Sequence, residues 1–272
     1  MLALLLTTFA VTSPSSAYLE QSQLEAEGFV RIKQWIVEPD RRRVEVFSCW
    51  ATTARRDKEI RIGFSQTREE QRRGLKAGTT SHPQLINDKE ESPSGLPLGR
   101  NCLYEASSDP VGRPGGSNLK VEGPYESFSA RIGPTDYLDD AGNVVKNTQD
   151  LAFMAPLLEK WARQVFAHGV GKRLNESSPR QLAGREVRAR ACAFSGTLFY
   201  DLEDWAAARG WSLARREDGS AADLARGGRP LVVPLAGGQA LWRGQPVELG
   251  DCVAEVGGRW YAPARLDDLA GA

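Results

Sequence analysis

Residues 231–272 read LVVPLAGGQALWRGQPVELGDCVAEVGGRWYAPARLDDLAGA and contain two hairpin patterns in close succession. The first has β-prone residues on both sides of a turn at residues 243–245, and the second has them on both sides of Gly257 and Gly258. Such runs, broken by a glycine turn, are typical of paired antiparallel strands. Pro263 closes the last strand and can begin a short final helix. This stretch therefore predicts a small module of hairpins.

Two glycine-containing motifs follow one another in this stretch. The first is formed by Gly238, Ala240, Gly244, Val247 and Leu249, and the second by Gly258, Arg259, Tyr261, Pro263 and Arg265. On these residues the stretch resembles the copper amine oxidase N-terminal-like domain, also called the stalk domain, of bacterial envelope and secreted proteins. A weaker copy of the pattern begins at Gly196. The resemblance covers the C-terminal third of the chain only.

The resemblance implies an attachment or interaction module at residues 183–272, folded as a small α+β repeat domain, rather than a copper enzyme. The Asn-Tyr-Asp/Glu core that yields the amine oxidase quinone is absent from the sequence, and so is a cluster of copper-binding histidines. The sequence departs from the family pattern at Arg243, Ala262 and Ala264. These departures concern packing detail. We expect no copper chemistry and no cofactor.

The N-terminal part, residues 18–173, has the pattern of an antiparallel sheet that is covered by one helix. Strand-like runs occur at residues 29–37, 43–50 and 60–64. Apolar residues then recur at helical spacing after Pro156, which we take as the helix start, with Gly169 as its cap. On this helix, Glu159 and Arg163 are expected to form an exposed i,i+4 pair. The predicted fold class of the whole chain is therefore α+β.

The division into two domains rests on composition. Every lysine of the chain lies before Arg173, and the remaining third uses arginine alone. Residues 174–182 contain the run NESSPRQL, which is typical of a linker. The whole chain has 35 basic and 35 acidic residues, so its net charge is zero. This balance argues against a nucleic-acid or anionic-membrane partner.

Residues 1–17, MLALLLTTFAVTSPSSA, have the pattern of a secretory signal peptide. Ser15 and Ala17 suit the −3 and −1 positions of a cleavage site before Tyr18. The apolar run is too short to cross a bilayer, so we expect no membrane span in the mature chain. A buried N-terminal helix is the alternative. The expected localisation is secreted, periplasmic or at the cell surface.

Four cysteines divide two per predicted domain. In an exported chain this even division favours two disulfides, Cys49 with Cys102 and Cys192 with Cys252. The second pair has further support, because each of its cysteines precedes one copy of the glycine motif. Four buried free thiols are the alternative.

No catalytic, cofactor-binding or metal-binding site is recognised in the sequence. The only histidines are His82 and His168, too few for a histidine metal centre. The acidic turn at residues 136–143 could hold calcium but lacks the spacing of an EF-hand loop, so we read it as a surface turn. Asp201, Glu203 and Asp204 are expected to be solvated acids at a helix start. The tryptophans of the last domain are Trp205, Trp211, Trp242 and Trp260, which are core residues or, alternatively, a platform for sugar rings.

These observations favour a non-catalytic secreted or cell-envelope protein that binds a protein or a cell-wall component. The alternative function is an exported hydrolase with an unrecognised carboxylate site in the N-terminal domain. A deep cleft with facing carboxylates would favour the hydrolase.

Overall fold

The computed structural model describes residues 18–37, 43–56, 58–69, 88–89, 92–108, 114–133, 137–138, 141, 143–145 and 151–270. The fold is mostly β, with 50% of residues in strands and 19% in helices. Three antiparallel sheets of five or more strands dominate the described part of the chain. The predicted α+β class is therefore wrong. The prediction missed mainly strands of the C-terminal part. These strands are rich in arginine and alanine, residues that do not favour β structure.

The N-terminal part is built on a seven-stranded sheet with the order β1-β2-β3-β7-β6-β5-β4. Short helix α1 (Gln21–Ala26) precedes it, and the two-stranded hairpin of β8 (Tyr137–Leu138) and β9 (Val144–Val145) follows it. The strands of the large sheet are β1 (Phe29–Val37), β2 (Glu45–Thr53), β3 (Glu59–Gln66), β4 (Asp88–Lys89), β5 (Asn101–Ser108), β6 (Pro114–Glu122) and β7 (Glu126–Gly133).

One face of this sheet is apolar because side chains alternate along each strand. Phe47, Phe64 and Phe128 lie opposite one another on β2, β3 and β7, and all three are buried. Helix α2 (Leu151–Lys172) covers this face with buried Trp161 and Phe166. The rings of Phe64 and Phe166 are 6.5 Å apart, edge to face. The core of the N-terminal part therefore lies between α2 and the sheet.

Helix α2 differs from its prediction at both ends. It begins at Leu151, with Pro156 inside it, and it continues through Gly169 to Lys172. A side chain at Gly169 would overlap the ring of Phe64, and one at Gly171 would overlap the backbone carbonyl of Glu255. These glycines therefore let the helix approach its neighbours closely and do not end it.

The C-terminal part contains two five-stranded sheets with the orders β10-β11-β12-β19-β18 and β13-β14-β15-β16-β17. Helix α3 (Leu202–Arg209) is capped by the Asp201 carboxylate and ends at Gly210, which has φ 70°. Helix α4 (Leu266–Ala270) closes the described chain. The strands are β10 (Ser178–Leu182), β11 (Arg185–Ala191), β12 (Leu198–Asp201), β13 (Ser212–Arg215), β14 (Ala221–Arg226), β15 (Arg229–Pro234), β16 (Gln239–Trp242), β17 (Gln245–Glu248), β18 (Ala254–Val256) and β19 (Arg259–Pro263).

Both hairpins predicted from residues 231–272 are confirmed. Strand β16 pairs with β17, and β18 pairs with β19. The two hairpins belong to different sheets, however, so they do not form one repeated unit. The sequence also predicts a linker at residues 174–182, whereas the structure has strand β10 from Ser178 to Leu182, paired with β11.

A buried ion cluster joins the two parts of the chain. Arg173, just after α2, donates from Nε to Glu126 at 2.6 Å and from Nη1 to Asp251 at 2.9 Å. The side chains of Arg173 and Glu126 have no solvent exposure, and that of Asp251 has 4%. The backbones also meet, since Gly238 N donates to Gly99 O at 2.8 Å. The division of the chain into two domains stays a prediction.

Candidate functional site

A cleft of about 920 Å³ lies where the N-terminal and C-terminal parts meet. One wall is formed by α1, α2 and the loop before Leu98, and the other by the turn between β13 and β14 together with Trp260. The charged lining residues are Glu27, Glu159, Lys160, Arg163, Arg215, Arg216, Glu217 and Asp218. Because the walls come from distant segments, the cleft exists only in the folded chain.

A buried ion pair, Glu159 with Arg163, lines the N-terminal wall. Arg163 donates from Nε at 2.8 Å and from Nη2 at 2.6 Å to one oxygen of Glu159. Ser94 adds a backbone donor at 2.7 Å and a hydroxyl donor at 2.6 Å. Four donors thus hold this carboxylate in place. The other guanidinium hydrogens go to the carbonyls of Leu96, Pro97 and Leu235.

The exposed i,i+4 pair expected from the sequence is therefore buried, with 4% exposure at Glu159 and 2% at Arg163. The residue spacing was informative about the contact, but not about which face of α2 is covered. Burial lowers the pKa of Arg163, and the charge of Glu159 acts in the opposite direction. By tying the loop at Leu96 and the strand end at Leu235 to α2, Arg163 also fixes the base of the cleft.

The opposite wall is a turn whose arginines are bound to acids outside the cleft. The Arg215 guanidinium lies 4.9 Å from the Trp260 ring centre and donates to Glu203 at 2.9 Å. Arg216 binds both oxygens of Asp223 at 2.9 Å. These contacts hold the turn in a fixed position against the rest of the C-terminal part.

Glu217 and Asp218 lie at the tip of this turn and are exposed. Among the described residues, neither forms an ion pair with a lysine or arginine within 4.0 Å. Hydrogen bonds from Ser220 lower the pKa of Asp218, one of them from the Ser220 backbone amide at 2.9 Å. The tip therefore presents two negative charges at the cleft mouth.

Asp218, Glu159 and Glu126 differ in what their carboxylates can reach. A catalytic acid needs a pKa raised towards neutrality, whereas the pKa of Asp218 is lowered. Glu159 has all its contacts occupied by Arg163 and Ser94. Glu126 does have a pKa raised by burial, but it is fully enclosed in the ion cluster with Arg173 and cannot reach a ligand.

No protein-family model, curated protein or solved structure matches this chain. The resemblance to the stalk domain therefore rests on the motif residues alone. No described helix has the length and apolar character needed to cross a bilayer. Within the described ranges, no group of three or more possible metal ligands comes together.

All four cysteines are free in the structure, so neither predicted disulfide is present. Cys49 lies on β2 and Cys102 on β5, with three strands of the same sheet between them. At about 4.8 Å per strand, these residues are roughly 19 Å apart, far beyond the ~7 Å limit for a bridge. An even division of cysteines between domains does not reveal strand order. Burial raises the pKa of both thiols to about 12.

Cys192 and Cys252 both lie beside the buried ion cluster. The Cys192 sulfur accepts from Arg173 Nη1 at 3.0 Å, and the Cys252 amide donates to Asp251 at 2.7 Å. Burial raises the pKa of Cys252 far above its ordinary value. In this structure the two cysteines are buried thiols that pack around the cluster and form no bridge.

The other residues singled out in the sequence form no joint site. His168 lies within α2, with Nδ1 3.6 Å from a carboxylate oxygen of Glu255. Asp201 is buried and binds Arg259 at 2.6 Å, so it is not a solvated acid. Asp204 is bound by Arg188 at 2.7 Å. His82 and half of the acidic turn at residues 136–143 lie outside the described residues.

The tryptophans of the C-terminal part form no sugar platform. Trp205, Trp211 and Trp260 are buried, and Trp242 is half-buried. The rings of Trp205 and Trp211 stack at 6.1 Å, and Trp242 meets Trp211 at 5.7 Å. They pack in the core, which is the first of the two interpretations that the sequence allows.

Proposed function

We propose that this chain is a non-catalytic binding protein of the secreted or cell-envelope class, whose C-terminal part serves as an attachment or interaction module. The signal-peptide pattern of residues 1–17 supports export, and the glycine motifs of residues 231–272 support a stalk-like module. The ligand site is the cleft between the two parts, and its partner is a protein or a cell-wall component.

One observation carries this proposal: apart from Glu217 and Asp218, the charged groups that line the cleft are held by fixed partners. Glu159 is bound by Arg163 and Ser94, and the arginines of the opposite wall are bound by Glu203 and Asp223. A site of this kind is preorganised, so that little order is lost when a ligand enters.

The two lining carboxylates without an ion-pair partner among the described residues indicate the kind of ligand. Glu217 and Asp218 face the cleft mouth as carboxylates, next to the apolar surface of Leu157, Leu235 and Trp260. An amine on a peptide-like ligand would complement the two carboxylates, while its apolar parts would contact the walls. We therefore propose an amine-bearing peptide, such as a peptide component of a cell wall, as the ligand.

The test is a pull-down of the exported protein with purified cell walls of the native host. We expect the double variant Glu217→Gln/Asp218→Asn to bind about five-fold more weakly, because each rim charge contributes up to about 1 kcal/mol. The matched control is Glu176→Gln/Glu186→Gln, which removes two exposed carboxylates that do not line the cleft. Equal binding by all three proteins, or protein found only in the cytoplasm, would contradict the proposal.

The exported hydrolase remains as a second candidate, because several carboxylates do line the cleft. In the N-terminal part these are Glu27 and Glu159. Glu27 lies 3.5 Å from Lys160, and Glu159 is held by four donors. Release of soluble fragments from the cell walls by the wild type, and its loss in Glu27→Gln, would favour the hydrolase over the binding protein.

A further inference from the structure

The edge strand β1 of the N-terminal sheet carries large apolar side chains that are exposed to solvent. Strand β1 is the first strand in the sheet order, so one of its sides has no neighbour among the described strands. Near its end, Trp35 is 48% exposed, Ile36 41% and Val37 44%. Val30, at 38%, completes the set of exposed large apolar side chains in the described part of the chain, and it too lies on β1.

These side chains point to both faces of the sheet. Ile36 pairs with Phe47 of β2, whose ring faces the buried side, so Ile36 lies on the α2 side. Trp35 pairs with Ser48 and lies on the opposite, polar face. A partner packed on one face of the sheet would cover only one of these two side chains. An added strand would contact both, since its side chains alternate in the same way.

The backbone of this segment is suited to accept a strand. Pairing with β2 is interrupted between Val30 and Lys33, where Arg31 has a φ of 54°. From Lys33 to Val37 each residue pairs in regular register. Bulges often prevent an edge strand from pairing with a strand of another chain. Here the bulge affects only the first half of β1. The second half offers a regular row of backbone donors and acceptors.

Charge decides which strand fits. Phe29–Val37 contains Arg31 and Lys33 and no acidic residue. A second copy of β1 would bring the same two positive charges and no negative charge to balance them. A strand with an acidic residue beside Lys33 would complement this charge, and its alternate apolar residues would contact Ile36 on the opposite face.

We propose that β1 binds an extended segment of a partner protein, in which apolar residues alternate with acidic ones, by adding it as a strand to the sheet edge. The surface is separate from the cleft, since no β1 residue lines the cleft. The proposal therefore does not depend on the proposed function.

The test uses the full chain and a fluorescein-labelled peptide of alternating valine and glutamate, about eight residues long. Binding is followed by fluorescence polarisation. We expect Trp35→Ser to weaken binding about thirty-fold and Lys33→Glu about five-fold. The matched control is Arg180→Glu, a charge reversal on β10, which is also an edge strand. It should leave the affinity unchanged.

Two further measurements separate strand addition from other binding. Hydrogen exchange should slow at backbone amides of β1 when the peptide is bound, and slow little elsewhere. A peptide with lysine in place of glutamate should not bind. Equal binding of both peptides, unchanged exchange at β1, or formation of a dimer of the chain through this edge in sedimentation would each overturn the proposal.

Discussion

At the residue scale, the described structure depends on arginines that are bound inside the protein. Arg163 and Arg173 each join an acid to backbone or side-chain groups of distant segments. The sequence shows the i,i+4 spacing of Glu159 and Arg163, and hence their contact. It cannot show that other segments cover them, because burial is decided by packing partners far along the chain. Glu126 and Asp251 have no local signal that links them to Arg173.

We expect Arg173→Met to lower the free energy of unfolding by about 3–5 kcal/mol at pH 7, because it leaves Glu126 and Asp251 buried without a positive partner. Burial already raises the pKa of Glu126. A carboxyl group with a raised folded pKa favours the folded state at low pH and loses that contribution as the pH rises through its folded pKa. The loss in the variant should therefore shrink as the pH falls from 7 towards 5.

Urea unfolding at several pH values measures this loss. The control is Arg180→Met, at an exposed arginine of β10, which should change stability by less than about 0.5 kcal/mol. A loss below about 1 kcal/mol in Arg173→Met would mean that water reaches the two acids.

Asp204 gives a second prediction with the opposite pH dependence. Hydrogen bonds from Arg188, one of them from Nη2 at 2.6 Å, lower the pKa of Asp204. A lowered folded pKa gives stability at neutral pH that is lost as the pH falls through that pKa. Asp204→Asn should therefore lose up to about 1 kcal/mol at pH 7, a modest amount because Arg188 is partly exposed.

In acid-dependent urea unfolding, the difference between Asp204→Asn and the wild type should narrow as the pH falls from 5 towards 2. Glu176→Gln, at an exposed carboxylate outside any described ion pair, serves as the control. A difference that stays constant over this range would show that the charge of Asp204 is not the source of the stability.

At the element scale, local patterns predicted some strands and helices well and others poorly. The hairpins β16–β17 and β18–β19 have glycine turns and were predictable. Helix α3 has a capping aspartate and a terminal glycine, and it begins where the sequence predicts a helix start. Strands β11 and β14 consist largely of arginine, alanine and acidic residues, so neither composition nor alternation marks them. Their pairing with neighbours decides their conformation.

Gly171 tests how closely α2 packs on the C-terminal part. Glycine inside a helix is normally destabilising, so replacement by alanine should raise stability by about 1 kcal/mol. Here an alanine Cβ would overlap the carbonyl oxygen of Glu255 on β18. We therefore expect Gly171→Ala to lower the free energy of unfolding by about 1–3 kcal/mol. Thermal unfolding measures the change, with Lys160→Ala on the exposed side of α2 as control, and a rise in stability would contradict the close contact.

At the scale of the whole molecule, the cleft and the interface could not be predicted from the sequence. The walls of the cleft come from α1, α2, the loop before Leu98 and the turn after β13, and no spacing rule brings such distant segments together. The composition change near Arg173 does coincide with the end of α2. It gives no information on how the two parts meet.

We expect the two parts to unfold in one cooperative urea transition, with coincident curves from circular dichroism and tryptophan fluorescence. The reason is the shared interface formed by Arg173, by α2 against β18, and by the backbone contact of Gly99 with Gly238. Two separate transitions, or two protease-resistant pieces after cutting at residues 174–182, would instead support independently folding domains.

Arg173 also lies at the point where the chain passes from one part to the other. It is the last residue before the segment that leads into β10, and it is tied at once to Glu126 on one part and Asp251 on the other. A protein held at its C-terminal part and pulled through a ligand on its N-terminal part would carry the load across this point. The buried ion contacts would have to break before the connecting segment could extend, so Arg173 would add to the force needed to separate the two parts.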